Sequence, residues 1–80
     1  MNYYSIRQAM EELIHVLTHG QAHYAGQIGE ALAFVWGELQ NNENGLDGYV
    51  VVEQNSQMDQ LLNSFAHNAQ RPNDAEDLFT

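Results

Sequence analysis

The sequence predicts a mainly α fold, a small three-helix bundle with one short extended or strand segment near residues 49–53. Three observations predict it. Apolar residues recur at helical spacing over residues 6–17, 24–39 and 58–69. A cluster of amides and glycines, Asn41 to Gly48, separates the second stretch from the third. Between them stands Tyr49-Val50-Val51-Val52-Glu53, a run of β-branched and aromatic residues that favours extended backbone. The alternative reading is all-α, with a longer third helix starting at about residue 47 and capped by Asp47. Tyr49 and Val52 would then point away from its apolar face.

The first helix opens at Ser5, whose hydroxyl can cap it. Its stripe is Ile6, Ala9, Met10, Leu13, Val16 and Leu17. Arg7 and Glu11 stand at i,i+4 on its surface, a pairing that contributes a few tenths of a kcal/mol. Gly20 is placed to end the helix in a left-handed cap. The rival is one long kinked helix, because the apolar period continues to Tyr24 and Ile28.

The second helix, Gln21 to Gln40, holds the longest apolar run and the only Trp. Its bulky side is Tyr24, Ile28, Leu32, Val35 and Leu39. Ala25, Gly29, Ala33 and Gly37 follow at intervals of four and form a strip that lets another backbone come close. Both sides are expected to be buried in the middle of the bundle. Phe34 then falls among His23, Gln27, Glu30 and Glu38 on the wet face, which marks it as an interface anchor.

A strand at 49–53 needs a partner, and Asn2 to Ile6, or the same strand of a second copy, would supply it. Asn55 or Ser56 opens the third helix, with Asp59 favourably placed in its first turn. Met58, Leu61, Leu62, Phe65, Ala66 and Ala69 form the stripe. Pro72 stops it. Residues 1–72 thus read as a single helical domain. Residues 73–80 read as an acidic tail, frayed or weakly docked, with Asn73 and Glu76 at capping-box spacing before Leu78 and Phe79.

Eighty residues allow one core and a margin of roughly 3–5 kcal/mol, and there is no Cys to staple it. Binding a partner or a second copy is the common remaining support, so a homodimer is one expectation. Two Arg and no Lys face eleven carboxylates, for a net charge of −9. Direct nucleic-acid binding needs several basic contacts, so it is not expected. A basic protein partner suits the charge instead. The acids are also candidates for nucleic-acid mimicry, although sixteen Asn and Gln dilute them. No secretory signal or membrane span is read from the sequence, so the expected compartment is the cytoplasm and no membrane partner is expected.

Chemistry-bearing motifs are sparse. Ser5, Ser56 and Ser64 lie in no nucleophile context, and no glycine-rich phosphate loop occurs. The expectation is a protein that is not an enzyme and takes no cofactor. Glu11, His15, His19 and His23 stand four apart, which on an unbroken helix would line up a divalent-metal binder; no metal is favoured, because Gly20 interrupts the row. The functional expectation is a small acidic protein-binding module. It would act as an inhibitor, an antitoxin or immunity protein, or a phage or mobile-element accessory protein, by occluding a basic surface. The alternative is a homo-oligomeric structural or regulatory module. The expected partner-binding residues are Phe34, Tyr3, Tyr4, Glu30, Glu38, Glu43 and Asp47.

Overall fold

A computed structural model describes residues 1–71, and the side chain of Arg71 is outside that description. The chain runs β1 (Asn2–Ser5), α1 (Ile6–His19), α2 (Ala25–Asn41), β2 (Tyr49–Val52), α3 (Gln57–Phe65) and β3 (Gln70–Arg71), with short 3₁₀ turns at Ala22–Tyr24, Gly45–Asp47 and His67–Ala69. It is a mainly α fold of three helices, as the periodicity predicts. The strand pairs within the chain. β1 is central in a three-stranded antiparallel sheet of order β2-β1-β3. Tyr4 faces Val50 and Asn2 faces Val52 on one side of β1, while Tyr3 faces Arg71 and Tyr4 faces Gln70 on the other.

Local chemistry sets the helix ends. The Gln8 N–H donates to the Ser5 hydroxyl at 3.3 Å, and the Asp59 N–H donates to the Ser56 hydroxyl at 3.2 Å. Gly20 ends α1, but in extended backbone rather than in a left-handed cap. Its N–H donates to the Val16 carbonyl at 2.6 Å, and a Cβ there would strike that oxygen. The close approach, not positive φ, requires glycine. The left-handed positions are Gly45 and Asn55, both in turns.

α3 is shorter than its apolar stripe suggests. It stops at Phe65, and after one 3₁₀ turn Gln70 and Arg71 join β1. Sheet pairing at β1 competes with the helix for these residues and wins, so the chain is already extended before Pro72. The tail expectations for Asn73, Glu76, Leu78 and Phe79 lie outside the described residues.

The core fills the space between the helices and the face of the sheet that carries Tyr4, Val50 and Val52. α1 contributes Ile6, Ala9 and Leu13; α2 contributes Ile28, Ala31 and Val35; Leu62, Ala66 and Ala69 close it from the third helical segment. Tyr49 and Val51 alternate outward, the period of two expected of a strand with one wet face.

The bulky side of α2 lies inward as the sequence predicts, except for exposed Tyr24; the small strip does not. The inward face of the helix is Ile28, Ala31 and Val35, flanked by Leu32, Phe34 and Leu39. Ala25, Gly29 and Ala33 are exposed, and within 4 Å of where a Cβ would stand on Gly26, Gly29 or Gly37 there is nothing. The strip expected in the interior is therefore on the surface. The physical reason is size: a 17-residue helix in a chain this short is gripped along one face only, by α1 and α3.

Candidate functional site

Three features of the surface and interior carry chemistry. The first is charge. Glu11, Glu30, Glu43 and Glu53 are exposed and Glu38 is half-buried. Among the described residues the one salt bridge joins Arg7 to Asp47 at 3.1 Å, which replaces the expected Arg7–Glu11 pair. It ties α1 to the turn that follows α2, and both partners are well exposed, so it contributes under about 1 kcal/mol. The remaining surface carboxylates have no cation beside them among the described residues.

The second is the outer face of α2 with its neighbour on α1. Trp36 is 51% exposed, although it is the largest apolar side chain of the chain. Beside it along the helix lie Gly29, Ala33 and Gly37, which put almost no side chain between the backbone and solvent. On α1, Ile14 and Leu17 are 47% and 43% exposed. They belong to the row Arg7, Met10, Ile14, Leu17, spaced to lie on one flank of a helix. The Arg7–Asp47 bridge ties the start of that flank to the 3₁₀ turn Gly45–Asp47, which lies between α2 and β2. Glu12 and Val16 occupy the other flank, where Asn68 Nδ2 donates to Glu12 Oε1 at 2.8 Å.

The third is a buried polar knot that the sequence reading missed. Asp59 Oδ1 accepts from Asn2 Nδ2 and from the Tyr4 hydroxyl, each at 2.9 Å, and Asp59 Oδ2 accepts from the Asn55 N–H at 2.9 Å. Asn2 and Asp59 are both nearly inaccessible to solvent and Tyr4 completely so. Burial works to raise the Asp59 pKa, but the hydrogen bonds from Asn2, Asn55 and Tyr4, with the nearby amino terminus, outweigh it and hold the carboxyl below its ordinary value. Burial, the bond to Asp59 and its negative charge all push the Tyr4 hydroxyl up. The carboxylate has donors on both oxygens, so the knot works as a tie between β1 and α3. Only Asp59's position in a helix first turn was legible beforehand; its partners on β1 are more than fifty residues away in sequence.

The histidine row does not assemble. His15 and His19 stack with ring centroids 4.5 Å apart, α1 ends at His19, and His23 packs against Tyr24 in the next turn. Among the described residues no three of His, Asp and Glu are grouped to hold a metal ion. Glu11, Glu12, His15, Val16 and Asn68 line an open cleft of about 390 Å³, in which Glu12 Oε2 is buried without a hydrogen-bond partner.

The expected partner-binding residues separate. Tyr4 is core, not surface, because alternation along β1 turns it toward the helices. Phe34 is half-buried and packs against the core, so it is not a free anchor; it stands one turn after buried Ala31, on the edge of the inward side of α2. Tyr3 is half-buried in β1, on the sheet face opposite Tyr4. Glu30 and Glu43 are exposed, Glu38 is half-buried, and Asp47 is held by Arg7. No helix among the described residues is long and apolar enough to cross a membrane. Comparison with known proteins finds no matching family model, curated protein or solved structure.

Proposed function

We propose that the protein is a small acidic protein-binding module that acts by covering a basic surface of a partner protein, in the way of an inhibitor, an antitoxin or immunity protein, or a phage or mobile-element accessory protein. One observation carries this reading: among the described residues the surface carboxylates other than Asp47 have no cation beside them. Of the two arginines in the chain, Arg7 is already engaged by Asp47, and there is no Lys. A surface of one sign raises the encounter rate with a surface of the other and penalises like-charged partners.

The test is capture of partners from the native host on the immobilised full chain, followed by measurement of affinity against salt for each purified partner. The reading expects a partner with a basic surface, affinity that falls as salt rises, and weaker binding by Glu30→Lys and Glu43→Lys. Binding that ignores both salt and charge reversal would remove it.

A further inference from the structure

We infer that the outer surface of the α1–α2 pair, centred on Gly29, Ala33 and Trp36 and bordered by Ile14 and Leu17, is a docking face for a basic amphipathic helix of the partner protein. This deepens the acidic-module reading and rests on it. Apolar side chains as large as Trp36, Ile14 and Leu17 stand in water on the flank shared by two neighbouring helices, with nothing among the described residues to cover them. A surface of this kind marks an interaction site more often than chance. Between them Gly29 and Ala33 carry almost no side chain and leave a shallow furrow beside Trp36; apart from the surrounding backbone of α2, nothing lies within 4 Å of a Cβ placed on Gly29. Another helix can settle there at short interaxial distance, its larger apolar residues filling what the glycines leave open.

Charge decides the occupant. A second copy would bring another net charge of −9 against the first, with Glu30 beside the furrow on both. A helix with apolar residues on one face and Lys or Arg on its flanks meets Trp36 and Ile14 with the first and Glu30 with the second. An anionic membrane surface would be repelled.

The test uses the full chain and a synthetic helix of Leu and Lys in amphipathic order, with the same residues in scrambled order as comparison. Trp36 is the only Trp, so its emission reports on this face alone. The amphipathic peptide is expected to shift Trp36 emission to shorter wavelength and to bind at least about tenfold more tightly than the scrambled one. Ala33→Arg and Gly29→Leu, both at exposed positions, are expected to weaken that binding by about tenfold or more. Glu53→Gln makes the same change of charge as Ala33→Arg but lies away from the face, and is expected to change it less than about twofold. Equal binding of both peptides with silent Trp36 emission overturns the docking face while leaving the acidic-module reading in place. Failure of both peptides to bind at any salt concentration also overturns the docking face, while the acidic-module reading stands or falls on the salt and charge-reversal dependence of the captured partner. A dimer in solution that Ala33→Arg converts to monomer makes a second copy the occupant and overturns the inference. So does tighter peptide binding by Leu78→Ala/Phe79→Ala, which would assign the face to the chain's own C-terminal segment.

Discussion

The end of the molecule where β1 meets α3 and the outer side of α2 treat their side chains in opposite ways. At the first, a carboxylate, an amide and a phenol are taken out of water, and each finds its partner inside the chain. At the second, a Trp and two aliphatic residues are left in water, and none of the described residues packs over them. The first region satisfies itself and so belongs to the fold. The second leaves apolar surface open to solvent, and the proposed docking helix is placed there. The contrast also shows that burial of polar groups and exposure of apolar ones need not mark the same site.

The sharpest way to break this division is to open the knot. Asp59→Ala leaves buried Asn2 Nδ2 and the part-buried Asn55 N–H without their acceptor and the Tyr4 hydroxyl with only the residue-59 carbonyl at 3.4 Å, and is expected to destabilise the chain by about 2–4 kcal/mol in urea unfolding. Peptide binding at α2, measured where the variant is still folded, should be unchanged. The same knot predicts a pH dependence. Asp59 has a folded pKa below its unfolded value, so its contribution is complete above the unfolded value of about 4 and is lost as pH falls through the folded one. Acid titration of stability should therefore show a loss below about pH 4 that is smaller in Asp59→Asn. If the two proteins lose stability in parallel, the carboxylate is not the group that matters.

Phe34 comes next. Because it packs on the core, Phe34→Ala should cost about 1–3 kcal/mol, less than a fully buried Phe because part of the ring is wet. A variant as stable as the parent would return Phe34 to the surface. Tyr4→Phe is milder still. It removes one of three donors to Asp59 while keeping the ring in place, for about 1 kcal/mol by thermal unfolding.

These residues also show what could be read from the chain alone. The Ser5 cap, the loop after Asn41 and the extended run at 49–52 were legible, because capping, turn chemistry and β-branching act over a few residues; the choice of Ser56 over Asn55 as cap and of β1 over a second copy as strand partner was left open. That only one side of α2 is buried was not legible. Apolar and small residues occupy most of its circumference, so the periodicity finds the bulky side through Ile28 and Val35 but not that the small strip stays outside while Ala31 and Phe34 turn to the core. Of the expected binding residues, Glu30 and Glu43 kept their exposure because charge is a reliable sign of it. Tyr4 and Phe34 did not, because whether an aromatic is an anchor or core depends on which way one element faces.

The smallest effect separates fold from binding most cleanly. Gly29 is exposed within α2, its Cβ site is open, and it needs no positive φ. Replacing it with Ala adds a methyl group that meets nothing and removes the entropic cost of glycine in a helix. Gly29→Ala should then raise stability by about 0.5–1 kcal/mol in urea unfolding. Were the strip buried between helices, the same methyl would collide and stability would fall. The docking face makes the opposite demand, since a helix lying close over Gly29 has little room for added volume. A variant that gains stability and loses affinity for the basic helix has glycine there for the sake of a partner, at the expense of its own helix. If it gains stability and binds as before, the furrow is too shallow to matter, and Trp36 with Ile14 carries the contact alone.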